Sequence, residues 1–164
     1  MREIPYVNLS AQWSDEQNAL LPIIEEVLKG GNYVGSEEID RFEDSVSEFT
    51  KTRHAIALNS GTDALLIALM AAKIGKGDEV ITTSNTAVPT VSAIVSSGAK
   101  PIFVDINPDD YLIDVKKIEK KITKRTKGII PINLYGQCAD YDNILKIAKK
   151  YKLIVIEDCA QSAG

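Results

Sequence analysis

Residues 79–105 read EVITTSNTAVPTVSAIVSSGAKPIFVD, and this stretch decides the fold. Glu79-Val80-Ile81-Thr82 and Pro101-Ile102-Phe103-Val104-Asp105 are short apolar runs of strand length. Between them Val88–Ser97 carries a helical pattern, and Gly98 marks the turn back. A strand, a helix and a strand in this order make one β-α-β unit.

The same alternation continues in both directions. Further strands are expected at His54–Leu58, Gly128–Ile132 and Leu153–Glu157, with helices at Thr62–Lys73, Val115–Ile122 and Ile144–Lys150. Turns fall at Gly75-Lys76-Gly77-Asp78 and Asn107-Pro108-Asp109-Asp110. Near-continuous apolar strands in this alternation predict an α/β fold, a mostly parallel sheet with helices on both faces. Ligands of such sheets sit outside the carboxyl ends of the strands. Asn59–Thr62, Thr83–Ala87, Asn133–Gln137 and Asp158–Gln161 all fall there.

Before His54 the pattern is purely helical, so residues 1–53 are expected to form a helical segment and residues 54–164 an α/β domain. Trp13–Lys29 presents Leu20, Ile23, Ile24, Val27 and Leu28, with Gly30-Gly31 as its stop and Pro22 as a kink or fresh start. Ser36 suits an N-cap, and Ile39, Phe42, Val46 and Phe49 mark one buried face of a second helix.

Composition narrows the function. The chain has 164 residues, 45% hydrophobic, with a net charge of −4, which gives no basic surface for nucleic acid or an anionic membrane. The basic cluster Lys116–Lys127 reads as a solvated helix face and turn. Two cysteines, Cys138 and Cys159, and one histidine, His54, argue against a disulfide framework or a zinc site and for a reducing, cytoplasmic setting. The N-terminus has no signal-peptide core, and no apolar run approaches the ~20 residues of a membrane span.

Two of the strand ends carry chemistry. In Asn59-Ser60-Gly61-Thr62-Asp63, Gly61 lets backbone approach an anion, Ser60 and Thr62 add hydroxyls, and the orphan N–H groups of the next helix point outward. No P-loop and no Gly-x-Gly-x-x-Gly motif occurs anywhere in the chain, which removes support for nucleotide hydrolysis and nicotinamide redox chemistry. In Ile156-Glu157-Asp158-Cys159-Ala160-Gln161, alternation sends one carboxylate into the sheet's mouth and the other away. A carboxylate there suits a protonated ring nitrogen, and Gln161 suits a phenolate oxygen. A ligand with a phosphate, a pyridine nitrogen and a phenolate is pyridoxal phosphate (PLP). A plain helix cap also explains the first segment. A helix cap or a metal-binding aspartate also explains the second.

Ordered segments along nearly the whole chain resemble the DegT/DnrJ/EryC1/StrS family of PLP-dependent sugar aminotransferases. They are Ile4-Pro5-Tyr6-Val7-Asn8-Leu9, Gly31-Asn32-Tyr33-Val34-Gly35, His54–Leu65, Gly77–Thr82, Phe103–Ile106, Leu134-Tyr135-Gly136-Gln137 and Ile156–Gln161. The resemblance implies the large domain of the fold-type I, aspartate-aminotransferase-like architecture. It implies that Ser60, Gly61 and Thr62 hold the phosphate, that Asp158 pairs with the pyridine nitrogen, and that Gln161 contacts the ring hydroxyl. Where many members stack an aromatic residue on the ring, this chain has Ala87, with Asn85 as a substitute contact. Tyr6 and Asn32-Tyr33 match segments at the family's active-site mouth, and plain packing explains those tyrosines equally.

The reaction so implied is amino transfer, with glutamate as the expected donor, to a keto group of a nucleotide-linked 6-deoxy sugar, with the 3-keto branch favoured, in a homodimer. One departure stands out. Family members hold PLP through a lysine beyond this point, whereas the last lysine here is Lys152, before Asp158. A truncated and inactive piece is therefore expected. A dehydratase of the same family, with histidine in place of that lysine, and a non-catalytic fragment are the alternatives.

Overall fold

The computed structural model describes residues 4–163 and divides into two compact units, one ending at Ala57 and the other beginning at Leu58.

The first unit is two helices. Helix α1 spans Leu9–Gly30, capped by Asn8, whose Oδ1 accepts from Ala11 N–H at 3.1 Å. It runs through Pro22 with no fresh start, and Gly31 ends it at φ 73°. A proline removes one intrahelical hydrogen bond, and here that loss does not end the helix. Helix α2 spans Glu37–Thr50. Ser36 holds its N-cap position through its carbonyl, which accepts from Ile39 N–H at 2.9 Å, and not through its hydroxyl. The expected buried face of α2 is not buried: Phe42 is 59% and Phe49 67% exposed. The apolar stripe exists, but a stripe is buried only where another surface covers it.

The second unit is the α/β body. Helix α3 (Gly61–Ala71) leads into strand β1 (Glu79–Thr83), then α4 (Val88–Ser96), β2 (Lys100–Val104), α5 (Val115–Ile118, with a 3₁₀ turn Glu119–Lys121), β3 (Thr126–Ile129), α6 (Tyr141–Tyr151) and β4 (Ile154–Val155). The four strands are parallel in the order β2-β1-β3-β4. Side-chain alternation sorts the core into two layers. Val80, Ile130 and Ile132 face Leu65, Leu69, Ala93 and Ile94 of α3 and α4. Ile81, Ile129 and Val104 face Ile118 and Ile144 of α5 and α6. Helices therefore cover both faces, as the apolar strands require.

Three strand expectations need correction. His54–Leu58 is not a strand: the structure pairs it with no other strand, and Ala57 N–H donates instead to Glu43 Oε1 at 2.7 Å. A strand is a pairing, so an apolar run without a ladder partner does not form one. Strand β3 starts earlier than expected and stops before Pro131, which has no N–H to give the ladder. Strand β4 is shorter than Leu153–Glu157, although Ile156 N–H still reaches Ile129 O at 3.0 Å and Asp158 N–H reaches Pro131 O at 3.0 Å.

Chain direction across the sheet reverses between β1 and β3. This is the switch point at which open α/β sheets leave a crevice for ligands.

Candidate functional site

At the start of α3, Ser60 is the N-cap. Its Oγ accepts from Asp63 N–H at 3.1 Å and donates to Asp63 Oδ2 at 3.0 Å. Its carbonyl accepts from Ala64 N–H. The Ser60 hydroxyl is thus committed to the cap. The N–H groups of Gly61 and Thr62 have no acceptor among the described residues. A Cβ built on Gly61 would meet nothing within 4 Å. Two free donors at the positive end of a helix, beside open space, can take an anion. Thr62 is half-buried there.

The strand end after β4 is built around Asp158, 9% exposed and tied to the sheet by a bridge to Ile132. Its Oδ2 accepts from Thr90 Oγ1 at 2.8 Å, and its Oδ1 accepts from Ala160 N–H at 3.2 Å. Glu157 points elsewhere: it is exposed and accepts from Asn133 Nδ2 at 2.7 Å. Asp158 is therefore the inward member of the carboxylate pair.

Asn133, 1% exposed, pins the loop that follows β3. Its Oδ1 accepts from Ala139 N–H at 3.1 Å and from Tyr141 OH at 3.0 Å. Burial, then the nearby Glu157 carboxylate, pushes the Tyr141 phenol far above its ordinary value, so it stays a donor. Burial likewise raises the Cys159 thiol. Cys159 and Cys138 are both free thiols.

Gln161 is exposed, and its Oε1 accepts from Tyr135 N–H at 2.8 Å. A backbone N–H can only donate, so the amide oxygen must face it and the Gln161 NH₂ is left outward as a donor. Tyr135 sits at φ 59°, ψ 23°, a left-handed conformation that costs a non-glycine residue energy, and Gly136 follows at φ 83°. Strain of this kind persists where its surroundings hold it, and Gln161 is one such hold.

The β1–α4 loop leads into Thr90, the residue that holds Asp158. Asn85 and Ala87 are both exposed. Asn85 N–H donates to Thr83 Oγ1 at 3.0 Å, and Ala87 occupies the α4 N-cap with no side-chain cap bond. The structure adds Thr86 and Thr90, which sequence reasoning missed. One signal was present: Thr90 falls on the same helical face as Ala93 and Ile94, a hydroxyl in a core stripe.

Two grooves open on this unit, about 520 Å³ beside α5 and α6 and about 480 Å³ between α4 and β2. Neither is lined by Asp158, Gln161 or Ser60–Thr62. Among the described residues no cluster of His, Cys, Asp and Glu could hold a metal ion, and no helix is long and apolar enough to cross a membrane.

A parallel sheet covered by helices on both faces, with the inward Asp158 just beyond the carboxyl end of β4, is the frame of a fold-type I PLP transferase. The chain belongs to the DegT/DnrJ/EryC1/StrS aminotransferase family, whose model matches residues 14–164. It is 44% identical over 98% of its length to the UDP-2-acetamido-2-deoxy-3-oxo-D-glucuronate aminotransferase of Pseudomonas aeruginosa, covering 45% of that protein. It is 37% identical over 93% of its length to the dTDP-3-amino-3,4,6-trideoxy-alpha-D-glucose transaminase of Micromonospora megalomicea subsp. nigra, covering 41% of it. The crystal structure of NtdA from Bacillus subtilis with bound cofactor PMP superposes with a TM-score of 0.96 at 40% identity, over all of this chain and 38% of that one. The chain thus spans less than half the length of the curated relatives it matches.

Proposed function

We propose that the complete gene product is a PLP-dependent aminotransferase that moves an amino group from an amino acid, glutamate being the expected donor, to the 3-keto group of a nucleotide-linked sugar. The amino acid leaves as its 2-oxo acid and the sugar leaves as its 3-amino derivative. The observation that supports this reading is the doubly held, inward carboxylate of Asp158, alongside a free-donor helix start at Gly61–Thr62. Both belong to a family whose named relatives above are aminotransferases. Those two names share chemistry at carbon 3 and differ at carbon 6, so the proposal names carbon 3; the 6-deoxy feature has the support of one of the two.

The residues present fit PLP. Gly61 and Thr62 N–H, with the Thr62 hydroxyl, would take the phosphate, and Ser60 would hold the turn that presents them. Asp158 would face the pyridine nitrogen and keep a proton there. The outward NH₂ of Gln161 would donate to the ring oxygen. Ala87 and Asn85 would border the ring, with Ala87 leaving one side less covered than an aromatic residue would. When bound, PLP supplies the electron sink for amino transfer; the chain supplies placement and charge. A homodimer in the cytoplasm is the expected setting.

The test is a PLP titration of the complete gene product followed by absorbance, then incubation with glutamate and a nucleotide-linked 3-keto sugar. Expected are saturable PLP binding and release of 2-oxoglutarate. Asp158→Asn should keep the fold by circular dichroism and lower amino transfer by at least about a hundredfold, in line with charge-stabilising groups elsewhere. Failure of the wild-type protein to bind PLP would overturn the reading. Near-normal turnover by Asp158→Asn would remove Asp158 from its role.

A further inference from the structure

We propose that Thr90, with Thr86 behind it, is a positioning residue for Asp158: the two hydroxyls form a one-directional hydrogen-bond chain that fixes the plane of the carboxylate. The proposal rests on the reading of Asp158 as the partner of the PLP ring nitrogen.

The direction of the chain follows from donor counting. A carboxylate accepts and does not donate, so the 2.8 Å contact between Thr90 Oγ1 and Asp158 Oδ2 uses the single Thr90 proton. The 3.0 Å contact between Thr86 Oγ1 and Thr90 Oγ1 is open to either donor by geometry alone. With the Thr90 proton spent, Thr86 must donate. The order is therefore Thr86 O–H to Thr90, and Thr90 O–H to Asp158. Hydrogen bonds in such a chain polarise one another, and a charged end strengthens them further.

The chain is also stiff. Thr90 is 1% exposed and sits on the α4 face shared with Ala93 and Ile94. Its β-branched side chain has few rotamers to choose from in a helix. The other carboxylate oxygen, Oδ1, is held by Ala160 N–H at 3.2 Å. One fixed donor on each oxygen stops rotation about the bond to the carboxyl carbon. Each oxygen keeps a second acceptor position for a ligand. Thr86 adjoins Ala87, so the chain also couples the β1–α4 loop to the ring end.

A role confined to packing would leave the ring nitrogen irrelevant, and this separates the possibilities. The probes are PLP and 1-deaza-PLP, in which a C–H replaces the ring nitrogen. Their affinities for the complete gene product are measured by fluorescence titration, and the ratio of the two is the readout. Thr90→Val keeps the shape and loses the hydroxyl; Thr90→Ser keeps the hydroxyl. Thr90→Val should weaken PLP binding about tenfold, the worth of a hydrogen bond to a charged group, and leave 1-deaza-PLP binding unchanged. Thr90→Ser should restore the wild-type ratio. Thr86→Val should lower the ratio less, by about threefold. A wild-type ratio in Thr90→Val overturns the proposal, whether affinity for both probes holds or falls together. A wild-type protein that binds both probes equally overturns the Asp158 reading itself, and the proposal with it.

Discussion

Glu79 is almost fully buried at the start of β1, and two partners from the segment before β3 reach it. Thr123 Oγ1 donates to Oε2, and Arg125 Nε donates to Oε1 at 3.0 Å. The Thr123 hydroxyl first, and the Arg125 guanidinium second, hold this carboxyl below the usual carboxylate range. The folded state then binds the proton less readily than the unfolded chain. The stability Glu79 contributes is present above the ordinary carboxylate value, about 4.3, and is lost as pH falls through the lower folded one. Glu79→Gln should therefore cost about 1–3 kcal/mol at neutral pH, with the difference from wild type shrinking as the solution is acidified. Urea denaturation across that range checks it, and a gap that does not change with pH would refute the assignment. Contacts of this kind were not legible in the sequence. Glu79 reads as the first residue of a strand, and nothing local links it to residues 44 and 46 positions later. The same holds for Thr90 and Asp158, which are 68 positions apart. By contrast Asp158, Gly61 and Gln161 were legible as candidates, because turn chemistry and strand ends leave local marks.

Elements were legible where the apolar period acted alone. Strands β1 and β2 fall within a residue of expectation, since their runs are bounded by turn residues on both sides. Three helices began earlier than their apolar pattern suggested, each behind a polar cap: Asn8 for α1, Ser60 for α3 and Asp140 for α6. A cap recruits polar residues into the first turn, and a search for apolar periodicity passes over them. Two glycines at element ends make opposite predictions. Gly98, after α4, has φ +87°, and a Cβ there would lie 3.1 Å from the Lys76 backbone nitrogen. Gly98→Ala should destabilise the fold by about 1–3 kcal/mol, seen as a lower melting temperature. Gly61 has open space and no such conformation. Gly61→Ala should leave melting within about 0.5 kcal/mol of wild type while weakening PLP binding, because its methyl group enters the space assigned to phosphate. A Gly61→Ala protein with undiminished PLP affinity would move the phosphate elsewhere.

At the scale of the molecule, stability is unevenly shared. The unit from Leu58 onward owns both core layers, whereas α1 and α2 have no buried residue. Regions with few buried apolar contacts open at little cost. In the 164-residue chain, amides of α1 and α2 should exchange with deuterium more than about tenfold faster than those of Val80–Thr82 and Ile129–Ile130. Equal protection, measured by mass spectrometry after peptide digestion, would contradict this. The fold class was legible from alternation, but the expectation of a buried α2 face was not met, since amphipathicity reports what a helix can bury and not what covers it. Sheet order carries a last consequence, for the time course of assembly. Strand β1 has β2 on one side and β3 on the other. Leaving the ribosome, the chain can pair β1 with β2 early, through the short α4 crossover. The opposite edge of β1 must wait for β3, whose partner residues lie 47 or 48 positions beyond it. Non-local pairings of this kind set the pace of folding. Asp158 and Gln161 emerge later still, behind α6 and β4, so the helix start at Gly61 is made long before the aspartate proposed to face the ring. On the proposed reading of these residues, cofactor capture is deferred until nearly the whole of this chain has been synthesised.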